Sequence, residues 1–69
     1  MKPNGPAVRA IRQARKMSLR ELQAKTGLNR GYLSRLERAQ IRDTGEDQVR
    51  KVATALQVPQ DLITHEEMT

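Results

Sequence analysis

Residues 18–38, SLRELQAKTGLNRGYLSRLER, restrict the architecture of this chain more than any other stretch, because they hold two helix-start signals on either side of a glycine. Ser18-Leu19-Arg20-Glu21 is a capping box. The serine hydroxyl accepts from the N–H of Glu21, and the glutamate carboxylate reaches back to the N–H of Ser18. Asn29 is a strong N-cap for a second helix, since its short side chain satisfies an N–H that has no partner inside the helix. Gly27 lies between and can take the left-handed conformation that a sharp helix exit near Thr26 requires. A connection of about three residues is the length of a helix-turn-helix, not of an antiparallel hairpin.

The rest of the chain also reads as helical, with no strand pattern. Residues 1–5 (MKPNG) form a polar, flexible arm, and Pro6 suits the first turn of helix 1 because its missing N–H would have had no intrahelical partner. Helix 1 runs to about Arg15, with Val8, Ile11 and Ala14 on one face. Helix 3 spans about 30–38, and residues 39–44 make a loop. Thr44 is the expected N-cap of helix 4, with Glu46 and Asp47 at the positive end of its dipole. Val49, Val52, Ala53 and Leu56 supply its apolar stripe. Pro59 opens a short fifth helix whose Leu62 and Ile63 close the core. The expectation is an all-α, five-helix domain over residues 6–64, followed by a flexible polar tail at 65–69.

Composition narrows the function. Sixty-nine residues make one domain near the lower size limit for independent folding. No cysteine is present to form a disulfide or a thiolate metal site, and Tyr32 is the single aromatic residue, so the core must be aliphatic. No apolar run approaches the roughly 18 residues of a membrane span, and no signal-peptide pattern opens the chain. A soluble cytoplasmic protein is expected. The net charge of +5 is unevenly placed: residues 1–42 carry +9 and residues 43–69 carry −4. A basic half beside an acidic half points to a polyanion docking on one side. Nine arginines against four lysines favour bidentate contacts to phosphate or guanine.

At about 100° per residue, Leu33, Leu36 and Glu37 share one face of helix 3. Arg35 and Arg38 lie nearly opposite, with Gly31 between them, Ser34 flanking and Arg30 at the leading end. Three arginines, a small hydroxyl and a glycine fit a surface that faces a DNA groove, where arginine bridges guanine O6 and N7. Gly31 costs about 1 kcal/mol of helix stability relative to alanine, and either close approach to DNA or simple tolerance in a short helix accounts for it. Tyr32 fits two roles, a hydroxyl on a backbone phosphate or a ring lid on a small core. Glu37 falls on the inward face and needs a partner, because an unpaired buried charge is costly. Arg12 is the best candidate.

These residues resemble the phage-repressor, or Xre/Cro-type, helix-turn-helix family. The match runs from Val8, Ile11 and Arg12 through Met17, Ser18, Glu21 and Leu22, then Gly27-Leu28-Asn29 and Tyr32-Leu33-Ser34-Arg35-Leu36-Glu37-Arg38, to Val52, Ala53, Ala55, Leu56 and Val58. The resemblance implies a compact lambda-repressor-like domain that reads double-stranded operator DNA, usually as a symmetric dimer on an inverted repeat, to regulate transcription. Carried over by position, Arg30, Gly31 and Arg35 fall where the family reads bases, with Ser34 beside them. Asn29, Tyr32, Arg38 and Arg42 fall at or near its phosphate contacts, as do Ser18 and Arg20 at the start of helix 2. Arg12 and Glu37 match its internal ion pair. There are departures from the pattern. Leu19 replaces a phosphate-touching glutamine, Gln23 occupies a position usually kept small, and Ala39 replaces the common glycine after helix 3, which predicts a less abrupt exit. Gly31 lacks a base-reading side chain, and the loop before helix 4 is about one residue longer.

Other functions have less behind them. An antitoxin or another protein-interaction module on the same scaffold would use the acidic half and the tail, neither of which has an apolar anchor. An enzyme is disfavoured, because the one histidine, His65, lies in the tail. Asp43, Glu46 and Asp47 lack the spacing of a calcium loop, so neither a metal nor a cofactor is expected. Single-stranded RNA readers rely on aromatic platforms that this chain lacks. Val58, Leu62 and Ile63 are the apolar candidates for self-association. The core needs them too, so the expected homodimer is weak in solution and strengthens on DNA.

Overall fold

In a computed structural model, residues 1–65 are described. Among them are four α-helices: α1 (Gly5–Ala14), α2 (Leu19–Thr26), α3 (Arg30–Glu37) and α4 (Glu46–Leu56). A 3-10 turn, Gln60–Ile63, follows. The expected fifth helix is thus a single turn, closed by the Leu62 N–H on the Pro59 carbonyl at 3.1 Å. The next residue, Thr64, is extended and bridges to Pro3. No described helix is long and apolar enough to cross a membrane.

The core is aliphatic and is drawn from every element. Leu22, Leu33, Leu56 and Ile63 are almost fully buried, with Val8 and Val52 beside them. Burying one such side chain contributes about 1.5–3 kcal/mol. The predicted stripe of α4 is buried in full, as Val49, Val52, Ala53 and Leu56. Helix α1 buries Val8 and packs Ile11 against the core as expected, but its inward face is turned toward Gly5 and Arg12 and away from Ala14. Gly5 and Val8 are buried and Arg12 is nearly so, whereas Ala14 is exposed. The cause is α3: Gly5 brings α1 against the last carbonyls of α3, and Arg12 reaches Glu37 on the same helix. Together these two contacts set the rotation of α1. Leu62 also departs from expectation, being 52% exposed. A four-residue 3-10 turn points only one of its two adjacent apolar side chains inward, and Ile63 takes that place.

Residues 1–5 do not stand apart from the domain. The Asn4 N–H donates to the Ile63 carbonyl at 2.8 Å and the His65 N–H to the Lys2 carbonyl at 2.9 Å. Pro3 is buried, and the Asn4 side chain caps α1 by accepting from the N–H of Ala7. The Met1 ammonium lies 2.6 Å from Asp43, and its direct hydrogen bond, followed by its charge, holds that carboxyl below the usual range. Backbone pairing thus ties residues 1–5 to the 3-10 turn and the residues after it, and through Met1 to Thr44 in the loop before α4. Of the predicted polar tail, His65 is exposed, and residues 66–69 lie outside the described residues.

Three helices end on a non-glycine residue in the left-handed conformation: Lys16, Ala39 and Gln57, with φ of 55°, 61° and 59°. Each exit closes with the same pair of bonds. After α3, the Ala39 N–H donates to Leu36 and the Gln40 N–H to Arg35, at 3.1 and 3.0 Å. The exit at Ala39 is therefore as abrupt as a glycine would make it, because the two bonds impose the conformation. For an L residue this conformation costs roughly 1–2 kcal/mol, part of which glycine would give back as chain entropy. Ala39→Gly should therefore stabilise the fold by about 0.5–1 kcal/mol, or about 2–8 °C in melting temperature. Urea unfolding tests this, and a lowered midpoint would mean that Ala39 is not strained.

Candidate nucleic-acid interface

The site is built on two local signals. Ser18 starts α2 with its hydroxyl accepting from the Glu21 N–H at 3.0 Å, while the Glu21 carboxylate accepts from the Ser18 N–H at 3.4 Å. Gly27 ends the helix at φ 73°, its N–H on the Gln23 carbonyl. Thr26 is buried and bridges the turn, donating to the Leu22 carbonyl and accepting from the Leu28 N–H. Asn29 starts α3 by accepting from the Gly31 N–H at 2.7 Å. Helices α2 and α3 pack directly on each other. Gln23 is exposed and does not disturb that packing, since Leu22 and Thr26 face the core instead.

Helix α3 is divided by face. Leu33, Leu36 and Glu37 are buried. Arg30, Gly31, Arg35 and Arg38 are exposed and Ser34 is half-buried, so the candidate base-reading residues share an outward surface. Of the candidate phosphate contacts, Ser18, Arg20, Asn29 and Arg42 are exposed. Ser18 and Asn29 already use a side-chain oxygen on their caps, which leaves the Asn29 amide NH2 as a free donor type.

Tyr32 behaves differently. It is half-buried, its ring packs against the core, and its hydroxyl shares a 2.5 Å hydrogen bond with Thr44 Oγ1. Thr44 is consequently not the cap of α4. Gly45 occupies that position and supplies no side-chain bond. This long-range partnership had no local sequence signal, because a threonine before an acidic helix start reads equally well as a cap.

Behind the surface, Arg12 and Glu37 join α1 to α3. Arg12 Nε donates to Glu37 Oε2 at 2.6 Å and Nη2 to Oε1 at 3.0 Å, while Nη1 donates to the Met17 carbonyl at 2.8 Å. Their side chains are 12% and 5% exposed. The hydrogen bond to Glu37 is the main cause of a raised Arg12 pKa, opposed by desolvation. The pair braces α3 from its inner side and leaves the outer arginines to solvent. The sequence had also assigned Arg50 and Lys51 to the acidic half. In the structure they line an open depression with Lys25, and Arg50 also pairs with Glu46 and Asp47 at 3.6 and 3.5 Å.

Among the described residues, no group of three or more His, Cys, Asp or Glu is placed to hold a metal ion. A helix-turn-helix family model, HTH_3, matches residues 8–62. Among solved structures, the restriction-modification controller protein C.AhdI from Aeromonas hydrophila is 33% identical, with a TM-score of 0.77 over 84% of this chain and 86% of that one. The clp gene regulator ClgR from C. glutamicum is 32% identical, with a TM-score of 0.75 over 84% of this chain and 75% of that one. No curated protein sequence matches.

Proposed function

The chain belongs to the helix-turn-helix family that matches it over residues 8–62, and from that premise we propose that it is a sequence-specific, double-stranded-DNA-binding regulator of transcription. The observation that carries this reading is the division of α3, with arginines outward and Leu33, Leu36 and the paired Glu37 inward. A helix is about 10–12 Å across with its side chains, which fits a major groove about 12 Å wide. In this reading α3 enters the groove with Arg30 leading. Arg30, Ser34 and Arg35 face base edges, Gly31 lets the backbone approach, and Ser18, Arg20, Asn29, Arg38 and Arg42 face phosphates. The relationship to a restriction-modification controller and to a gene regulator supports a regulatory role.

A dimer would place two copies of α3 on an inverted repeat with half-sites roughly 34 Å apart. Leu62, which is exposed, and Val58, which is half-buried, are the apolar residues left for self-association. Two such residues suit a weak dimer that DNA strengthens. Selection of bound duplexes from a random pool tests the whole reading, since the recovered symmetry and spacing report both sequence preference and assembly. Recovery of no preferred sequence would refute it.

The two arginines at the end of α3 should separate by role. Arg35→Ala should relax preference at one base pair and cost about 1–3 kcal/mol on the preferred site. Arg38→Ala should weaken all sequences alike and lower the salt slope by about one unit. Titrations of base-substituted duplexes at several salt concentrations distinguish these effects. An even loss across sequences for both variants would remove Arg35 from base reading.

A further inference from the structure

On the DNA-binding reading above, Arg42 carries the phosphate contact of the loop between α3 and α4. That loop is pinned along its length. Its start is fixed by the bonds from Ala39 and Gln40 back to α3, and Ile41 packs against the core. At its end, Thr44 is half-buried, its N–H on the Met1 carbonyl at 2.9 Å and its hydroxyl against Tyr32. Arg42 is exposed between these anchors.

Tyr32 is the only side chain of α3 with a described hydrogen bond to this loop. Its ring lies against the core, so swinging the hydroxyl toward solvent would break both the packing and the bond to Thr44. We propose that Tyr32 is a positioning residue: it latches Thr44 and so fixes the backbone that presents Arg42 to phosphate, without touching DNA itself. The inference rests on the DNA-binding reading, but the latch exists without DNA. It links the helix that would read bases to the loop that would hold the backbone, so the two would dock in one register.

The variants Tyr32→Phe and Thr44→Val each remove one partner of the bond with little change of shape. Because Gly45 is the cap of α4, Thr44→Val removes no helix cap. The DNA probe is a duplex selected from a random pool on the wild-type chain, titrated at several salt concentrations. A hydrogen bond of this type supports a loss of about two- to tenfold. Each variant should show that loss, the double variant should lose no more than either single one, and neither change should weaken binding further in an Arg42→Ala background. A direct Tyr32–phosphate contact would instead leave Thr44→Val near wild type and make Tyr32→Phe additive with Arg42→Ala, which overturns the proposal.

Amide exchange at Thr44, measured without DNA, separates the two premises. It should quicken in both variants by more than the modest fall in urea midpoint accounts for. Unchanged exchange in a chain that binds DNA overturns the latch. Quickened exchange in a chain with no affinity for DNA overturns the proposal at its DNA-binding premise.

Discussion

Glu37→Ala is expected to remove a large share of the folding stability of this chain, about 3–5 kcal/mol. The change strands Arg12, whose side chain is 12% exposed and whose guanidinium makes two of its three described hydrogen bonds to Glu37. Breaking a buried pair by removing one partner costs about 3–5 kcal/mol, against a total stability of about 3–10 kcal/mol for a chain of this length. Arg12 cannot escape the penalty by losing its proton. Its pKa lies above the ordinary guanidinium value in the fold, so it is charged at every pH of interest. The sign of the linkage follows: a raised folded pKa contributes stability that is complete below the unfolded value and is lost only in strongly alkaline solution. Arg12 therefore adds no pH dependence near neutrality.

The control is the double replacement Arg12→Met with Glu37→Leu, which removes both charges and keeps the volume. Such exchanges are often neutral or stabilising by about 1–4 kcal/mol, so the double variant should be far more stable than Glu37→Ala. Urea unfolding followed by circular dichroism measures both. A cost below about 1 kcal/mol for Glu37→Ala, the range of a surface pair, would show that water reaches Arg12 and that the pair is not a brace.

Gly5→Ala is the second large effect, although alanine is the better helix former. A Cβ built on Gly5 falls 1.9 Å from the Leu36 carbonyl oxygen and 3.0 Å from that of Glu37. Both are backbone atoms at the end of α3, so no rotamer change relieves the clash, and α1 must move away from α3. Overpacking of this kind typically costs about 1–3 kcal/mol, and a contact with backbone places Gly5 at the upper end. The same movement would stretch the Arg12–Glu37 bonds, so the cost should shrink in the Arg12→Met, Glu37→Leu background. Gly31→Ala is the internal comparison. Its Cβ would meet the Asn29 side-chain oxygen at 3.0 Å in an exposed turn, where that side chain can yield. A similar cost at both positions would mean that the α1–α3 approach is not what Gly5 protects.

The motif was legible because its signals are local. The Ser18–Glu21 box, the left-handed Gly27 and the Asn29 cap each act over two to four residues, and each forms within the helices that the sequence implies. The inward face of α3 and the stripe of α4 follow from helical period alone. Residues whose role depends on a distant partner were misread. Helical period puts Ala14 on the buried face of α1, its place before an acidic helix start makes Thr44 read as a cap, and its apolar side chain assigns Leu62 to the core. Gly5 was read as part of a polar arm, although it sits where two helices meet.

By itself, the sequence determined an all-helical chain with a helix-turn-helix at residues 18–38, an aliphatic core and an outward row of arginines on α3. Those follow from capping chemistry and period, which need no knowledge of what lies across the core. Only the tertiary structure decided how α1 is rotated, which group Tyr32 holds and how residues 1–5 join the fold. Each of these depends on atoms brought together from far apart in the chain: the Leu36 carbonyl above Gly5, Thr44 beside Tyr32, and Ile63 against Asn4. Periodicity carries no information about such distances, so these positions acquire their roles only when the helices pack.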